Sequence, residues 1–205
     1  MAKTKKQDVI RTGLFGGSFN PIHNGHVKLA QRMLRAAHLD EVWLLVTPQN
    51  PWKSQADLLD DDIRFRLVSE AVEDIPGLVA SNYEFHLPKP SYTWDTLQAL
   101  AHDFPERQFT LLIGGDNWEH FSGWYEHDKI LAHYDIAVYP RRGTVIDKDS
   151  LPPRVRVIRT ALIDISGTEI RERIREGLPI DHLVPPSVAK VIQDENLYTE
   201  VRPKS

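Results

Sequence analysis

The chain has 205 residues, 41% hydrophobic and 26% charged, with a formal net charge of -4, which fits one globular domain whose core needs no covalent staples. Cysteine is absent, so disulfides, thiol nucleophiles and cysteine-held metals are excluded, and a reducing, cytoplasmic setting is expected. The negative balance predicts no broad attraction to nucleic acid or to an anionic membrane surface, and no run approaches the roughly 20 apolar residues of a membrane helix.

The first nine residues, with Lys3, Lys5 and Lys6, read as a solvated basic tail rather than a secretory signal, ahead of one domain over residues 10–200. Val9 to Phe15 is an apolar strand candidate that ends in a glycine turn, Gly16-Gly17. From Gly25 to Ala37 the residues Val27, Ala30, Leu34 and Ala37 recur at spacings of three and four, which predicts a helix with one buried face. Glu41 to Thr47 is a continuous apolar run, as in a strand covered on both sides. Strand, helix and strand in fifty residues make a βαβ unit. The alternation continues with a helix over Ile63–Val72, carrying Ile63, Leu67 and Ala71 on one stripe, and a short strand over Leu78–Ser81. A helix at Thr93–Ala101 and strands at Phe109–Ile113, Asp135–Tyr139 and Arg154–Ile158 follow. A helix over Thr168–Glu176 is stopped by Gly177, and a last one over Pro185–Glu195 has Pro186 in its first turn. This pattern predicts an α/β fold with a doubly wound, mostly parallel sheet and helices on both faces. Ligands then sit at the carboxyl ends of the strands, where the strand order reverses. Segments 144–153 and 49–61 look mobile, and the second is placed to close over a ligand.

Between the first strand and helix lies Gly16-Gly-Ser-Phe-Asn-Pro-Ile-His-Asn-Gly-His26. It is neither G-x-G-x-x-G nor a P-loop. Its chemistry nevertheless suits phosphate: glycines admit an anion close to the backbone, and a helix start offers free N–H groups. His23 and His26 are three apart and share a side near the helix start. Two plainer readings compete. H-x-x-H is half of a zinc site, although no third ligand of suitable spacing is evident, and either histidine can simply cap or pack the turn.

These residues resemble the G-x-F-x-P-x-H-x-G-H signature of the nucleotidylyltransferase superfamily. Ile165-Ser-Gly-Thr-Glu-Ile-Arg171 resembles its second signature, I-S-S-T-x-I-R. Pro51-Trp-Lys53, Pro90-Ser-Tyr-Thr-Trp-Asp-Thr96, Gly114-Gly-Asp-Asn-Trp118, the pair Trp124-Tyr125 and Arg141 are similar to segments of the bacterial nicotinate-nucleotide adenylyltransferases. Four departures stand out. Gly167 replaces a second serine, Gly115 an alanine and Arg142 the proline of R-P-G, while Pro51-Trp-Lys replaces P-P-H-K.

The resemblance implies a Rossmann-like fold and adenylyl transfer from ATP, with Mg²⁺, to nicotinate mononucleotide. By this likeness His23, His26, Lys53 and Arg171 carry the catalysis. Gly16, Gly17, Ser18, Phe19, Ser166 and Thr168 hold ATP, and Thr93, Asp116, Trp124, Tyr125 and Arg141 hold the mononucleotide. No side-chain metal cage is implied. Plain alternatives stand beside several roles: helix capping for Ser166 and Thr168, core packing for Trp124, a turn carboxylate for Asp116 and a solvated cation for Lys53 or Arg141. Asp95 is expected to cap or pin the Thr93 helix. Rivals are a sister enzyme acting on nicotinamide mononucleotide or another phosphate monoester, a non-catalytic nucleotide-binding regulator, and an RNA-binding protein. The regulator is opposed by the presence of both histidines and Arg171, and the RNA-binding reading by the negative charge. The expected partners are the two substrates, with neither nucleic acid nor membrane, and a homo-oligomer is left open.

Overall fold

The computed structural model describes residues 9–48, 58–160 and 165–199. The chain opens with β1 (Ile10–Gly17), α1 (Asn24–Ala36) and β2 (Glu41–Val46), followed by α2 (Asp61–Val72) and β3 (Leu78–Ser81). A 3-10 turn at Tyr83–His86 leads to α3 (Thr93–Asp103) and β4 (Arg107–Gly114). β4 runs straight into α4 (Gly115–Glu119), a 3-10 turn at Phe121–Gly123 and α5 (His127–His133). β5 (Asp135–Tyr139), β6 (Val155–Val157), α6 (Gly167–Arg175) and α7 (Pro186–Asp194) complete the order. Among the described residues no helix is long and apolar enough to cross a membrane.

The strands lie in the order β3-β2-β1-β4-β5-β6, and every described pair is parallel. The expected mostly parallel sheet is thus parallel throughout. Successive side chains on a strand point to opposite faces, and the strands load two cores accordingly. Phe15, Leu44, Leu112 and Ala137 face one layer with Ala30 and Met33 of α1, Leu67 of α2 and Val188 of α7. Leu14, Trp43, Leu111, Ile113 and Ile136 face the other, with Leu97 and Leu100 of α3 and Ile130 of α5.

β1 does not stop at Phe15. Gly16 pairs with Leu45 and Gly17 with Val46, because the ladder needs only backbone groups. The elements between residues 115 and 133 have no counterpart in the sequence pattern; each is too short to show a helical period. Gly177 has φ +68 just past α6, and Pro186 opens α7, as the sequence indicated. The strand order reverses between β1 and β4, so the carboxyl ends at Gly17 and Gly114 flank the crevice where this architecture takes ligands.

Candidate functional site

Beyond Gly17 the chain turns through Ser18, Phe19, Asn20 and Pro21, with a cis Asn20–Pro21 bond. Phe19 has φ +44, a left-handed conformation that a bulky residue seldom adopts. Its ring is 1% exposed and packs edge-on against Phe15 at 5.8 Å and His26 at 5.0 Å, which holds it there. The two glycines of the turn have different reasons. A Cβ on Gly17 would stand 3.0 Å from the Phe19 ring, whereas one on Gly16 would meet only Thr47 Oγ1, at 3.9 Å. Only Gly16 leaves an open backbone face for an anion. Phe19 supports the turn from below, and its ring faces the core instead of a ligand.

His23 is the N-cap of α1, and its Nδ1 accepts the His26 N–H at 3.3 Å. The ring is 5% exposed. Burial, and then the charge of Arg141, push its pKa down to about 4. At neutral pH it is therefore uncharged. With Nδ1 accepting, the proton sits on Nε2 and remains available to donate. The His26 ring stacks on it, with centroids 3.6 Å apart and planes at 22°. The spacing of three brings the two imidazoles together, and the capping role foreseen as an alternative is real for His23. Among the described residues no group of three or more candidate metal ligands forms.

The second motif docks onto this turn. Ser166 Oγ accepts the Glu169 N–H at 3.1 Å and caps α6. Arg171 Nη1 donates to the Asn20 carbonyl at 2.8 Å and Nη2 to Thr168 Oγ1 at 3.3 Å. Asn20 Oδ1 in turn accepts from the Tyr198 hydroxyl at 3.0 Å and from the Leu59 N–H at 3.3 Å. Both hydroxyls of the motif thus do local structural work, as the plain reading had it. Gly167 has a packing reason: a Cβ there would lie 2.7 Å from the Asn20 carbonyl oxygen.

Beside the turn is a pocket of about 390 Å³, lined among others by Gly16, Glu84, Thr93, Trp124, Tyr125 and Tyr139. Trp124 is half-buried, 5.2 Å from Phe121, so it is both core support and pocket wall. Tyr125 is 50% exposed and meets Tyr92 at 5.1 Å at the rim. The mononucleotide set divides here. Thr93, Trp124 and Tyr125 line the pocket, whereas Asp116 and Arg141 pair at 3.7 Å above Gly114, where Arg141 also acts on His23. Asp95 is exposed in the first turn of α3, and the cap position belongs to Tyr92. Segment 144–153 is anchored more than its composition suggests. Thr144 Oγ1 donates to the Arg141 carbonyl at 2.9 Å, and Ile146 and Leu151 pack against the second core. Lys53 and Trp52 lie outside the described residues, as does most of the loop expected to close.

Three contributors escape sequence reasoning. Glu84 is 6% exposed at the pocket floor and accepts from Thr96 Oγ1 at 2.8 Å. Burial raises its pKa, against the opposing influence of the Thr96, Ser91 and Thr47 hydroxyls. Arg64, fully buried, reaches the Ser18 carbonyl at 2.7 Å. Asn20 joins both motifs, as described above. A single acid, arginine or asparagine carries no periodic or spacing signal. The cluster of turn residues around Asn20 was the one available hint.

The sequence model of the cytidylyltransferase-like family matches residues 14–173. A protein of Bacteroides fragilis, called a probable nicotinate-nucleotide adenylyltransferase, is 48% identical over 192 residues, covering 94% of this chain and 92% of its own. A second of that name, from Bacteroides thetaiotaomicron, is 42% identical and covers 95% of each chain. Among solved structures, the Plasmodium falciparum nicotinic acid mononucleotide adenylyltransferase complexed with NaAD superposes with a TM-score of 0.76. It is 21% identical, and the match covers 92% of this chain and 97% of that one, which is a likeness of fold. By the extent of the family match and the identities to these relatives, the chain belongs to the cytidylyltransferase-like family, alongside bacterial proteins named nicotinate-nucleotide adenylyltransferases.

Proposed function

We propose that the chain transfers an adenylyl group from ATP to nicotinate mononucleotide, releasing pyrophosphate and forming nicotinate adenine dinucleotide, a step of NAD biosynthesis. One observation carries this reading. At the point where the strand order reverses, an anion cradle of Gly16, His23, His26 and Arg171 adjoins an aromatic pocket entered beside the N-terminus of α3. The names borne by the relatives support the same reading.

The chemistry asks for placement and charge stabilisation. A phosphate oxygen of the mononucleotide attacks the α-phosphorus of ATP, the bond to the β-phosphate breaks, and pyrophosphate leaves. The attacking oxygen is ionised near neutral pH, so no general base is needed. The neutral His23 donates from Nε2 to a phosphoryl oxygen, and His26 steadies the charge that develops on the α-phosphoryl group. Arg171 holds the leaving phosphates from the α6 start, where Ser166 and Thr168 frame free N–H groups. Lys53 and Arg141 offset the remaining charge. Mg²⁺ bound to ATP would supply neutralising charge on the triphosphate, and among the described residues no side-chain cage is offered to it, so the two imidazoles and Arg171 meet the phosphates directly. Trp124 stacks on the pyridine ring. Its carboxylate is taken by Thr93 and the Tyr125 backbone amide, and Asp116 takes ribose hydroxyls.

Pyrophosphate release with ATP and a panel of phosphate monoesters tests this. Nicotinate mononucleotide is expected to be the best acceptor. A preference for nicotinamide mononucleotide or for another monoester would replace the acceptor, and no release with any of them would favour a binding-only role.

A further inference from the structure

Arg64 lies in α2, away from every recognised motif, and its side chain is entirely buried. Burying a guanidinium is costly, and a well-packed apolar residue of similar size commonly costs less. What an arginine supplies is a rigid fork with five donors, and here the fork is shared among separate segments. Nη1 donates to the Ser18 carbonyl at 2.7 Å and to the Thr47 carbonyl at 3.1 Å, and Nε to the Leu59 carbonyl at 2.9 Å. Nη2 pairs with Asp61, whose other oxygen takes Lys89 at 3.2 Å. Ser18 precedes the left-handed Phe19, so one bond falls beside the strained point of the phosphate turn. Thr47 directly follows β2 and lines the pocket, and Lys89 leads into the Ser91–Thr93 segment that forms the pocket rim.

We propose that Arg64 is a positioning residue. Its guanidinium fixes the phosphate turn and, through Thr47 and the Asp61–Lys89 link, the mononucleotide pocket, so that the two substrates are held in one alignment. This rests on reading turn and pocket as the two substrate sites. Arg64 touches neither substrate, and it acts through backbone carbonyls.

The test is Arg64→Lys, which keeps the charge but loses the fork, assayed well below its melting temperature per folded molecule. The expected result is a fall in kcat of about 100-fold, the scale of a 1 Å misplacement, with each KM within about threefold of wild type. Hydrogen exchange supplies a readout independent of substrate. Amides of 18–26 and 91–96 are expected to speed up together by about tenfold or more while the sheet amides stay slow. A kcat within about twofold of wild type overturns the proposal, and so does faster exchange confined to α2. If Arg64→Lys does not fold, Asp61→Asn decides by the same two readouts, since it keeps one oxygen to accept from Arg64 but replaces the other, which takes Lys89, with an NH2 that cannot accept, and so cuts the link to the pocket rim. If the wild-type chain makes no product from nicotinate mononucleotide, the functional reading fails, and exchange alone judges the link.

Discussion

His23 offers the sharpest quantitative test, because one side chain is at once helix cap, buried base and proposed phosphate donor. Its folded pKa of about 4 lies below the ordinary value of 6.5. Between those values the unfolded chain binds a proton that the folded chain refuses. The stability tied to the neutral ring is therefore complete above pH 6.5 and is lost as pH falls toward 4. The loss amounts to about 3 kcal/mol at pH 4. His23→Asn separates this from capping, since asparagine is an equally good N-cap and does not titrate. Urea unfolding of both proteins at pH 7 and pH 4 measures the difference. At pH 7 the two should agree within about 1 kcal/mol. At pH 4 the wild type should have lost about 3 kcal/mol more than the variant. Carboxylates and histidines away from the turn contribute equally to both and cancel. Parallel losses would show that the ring is charged or solvated in the folded chain, and would remove the argument for a neutral Nε2 donor.

Other outcomes follow from the same geometry. His26→Ala should fold normally and lose about 10²–10³ in kcat/KM, the cost of one donor to developing charge; near-normal turnover would refute its role. Trp124→Ala should raise the KM for the mononucleotide about tenfold, near 1.4 kcal/mol, with ATP little affected; equal losses for both substrates would mark core damage instead. Gly167→Ala pushes a methyl toward the Asn20 carbonyl at 2.7 Å, so it should cost about 1–2 kcal/mol and lower Tm by about 3–6 °C. An unchanged or higher Tm in a thermal melt would contradict that contact.

Much of the frame was legible because its elements repeat. β3 and β5 fall at the expected bounds, and α1, α2 and α7 differ by one or two residues at an end. The short elements of 115–133 were not legible, although Phe121 and Ile130 in them are nearly inaccessible, since three to seven residues make at most about two helical turns, too few for an apolar stripe to recur. In the site, the paired imidazoles and the Arg171 helix were readable from spacing and resemblance. Arg64 and Glu84 were not, because a buried charge and a solvated one are the same letter. Only the tertiary fold reveals that Arg64 meets four partners in place of water. The roles of Gly17 and Gly167 were open to misreading for a related reason: what excludes their side chains is Phe19 in one case and the Asn20 carbonyl in the other.

Two of the bonds to Asn20 come from residues 151 and 178 positions further along, and Asn24 is tied to the His182 carbonyl across 158. On a translating ribosome at roughly 5–20 residues per second, the interval between making the turn and making its fasteners is about ten to thirty seconds. A nascent polypeptide carrying both imidazoles during that interval lacks the clasp that shapes them. The proposed cradle therefore takes its final shape only once Arg171, His182 and Tyr198 have joined the chain.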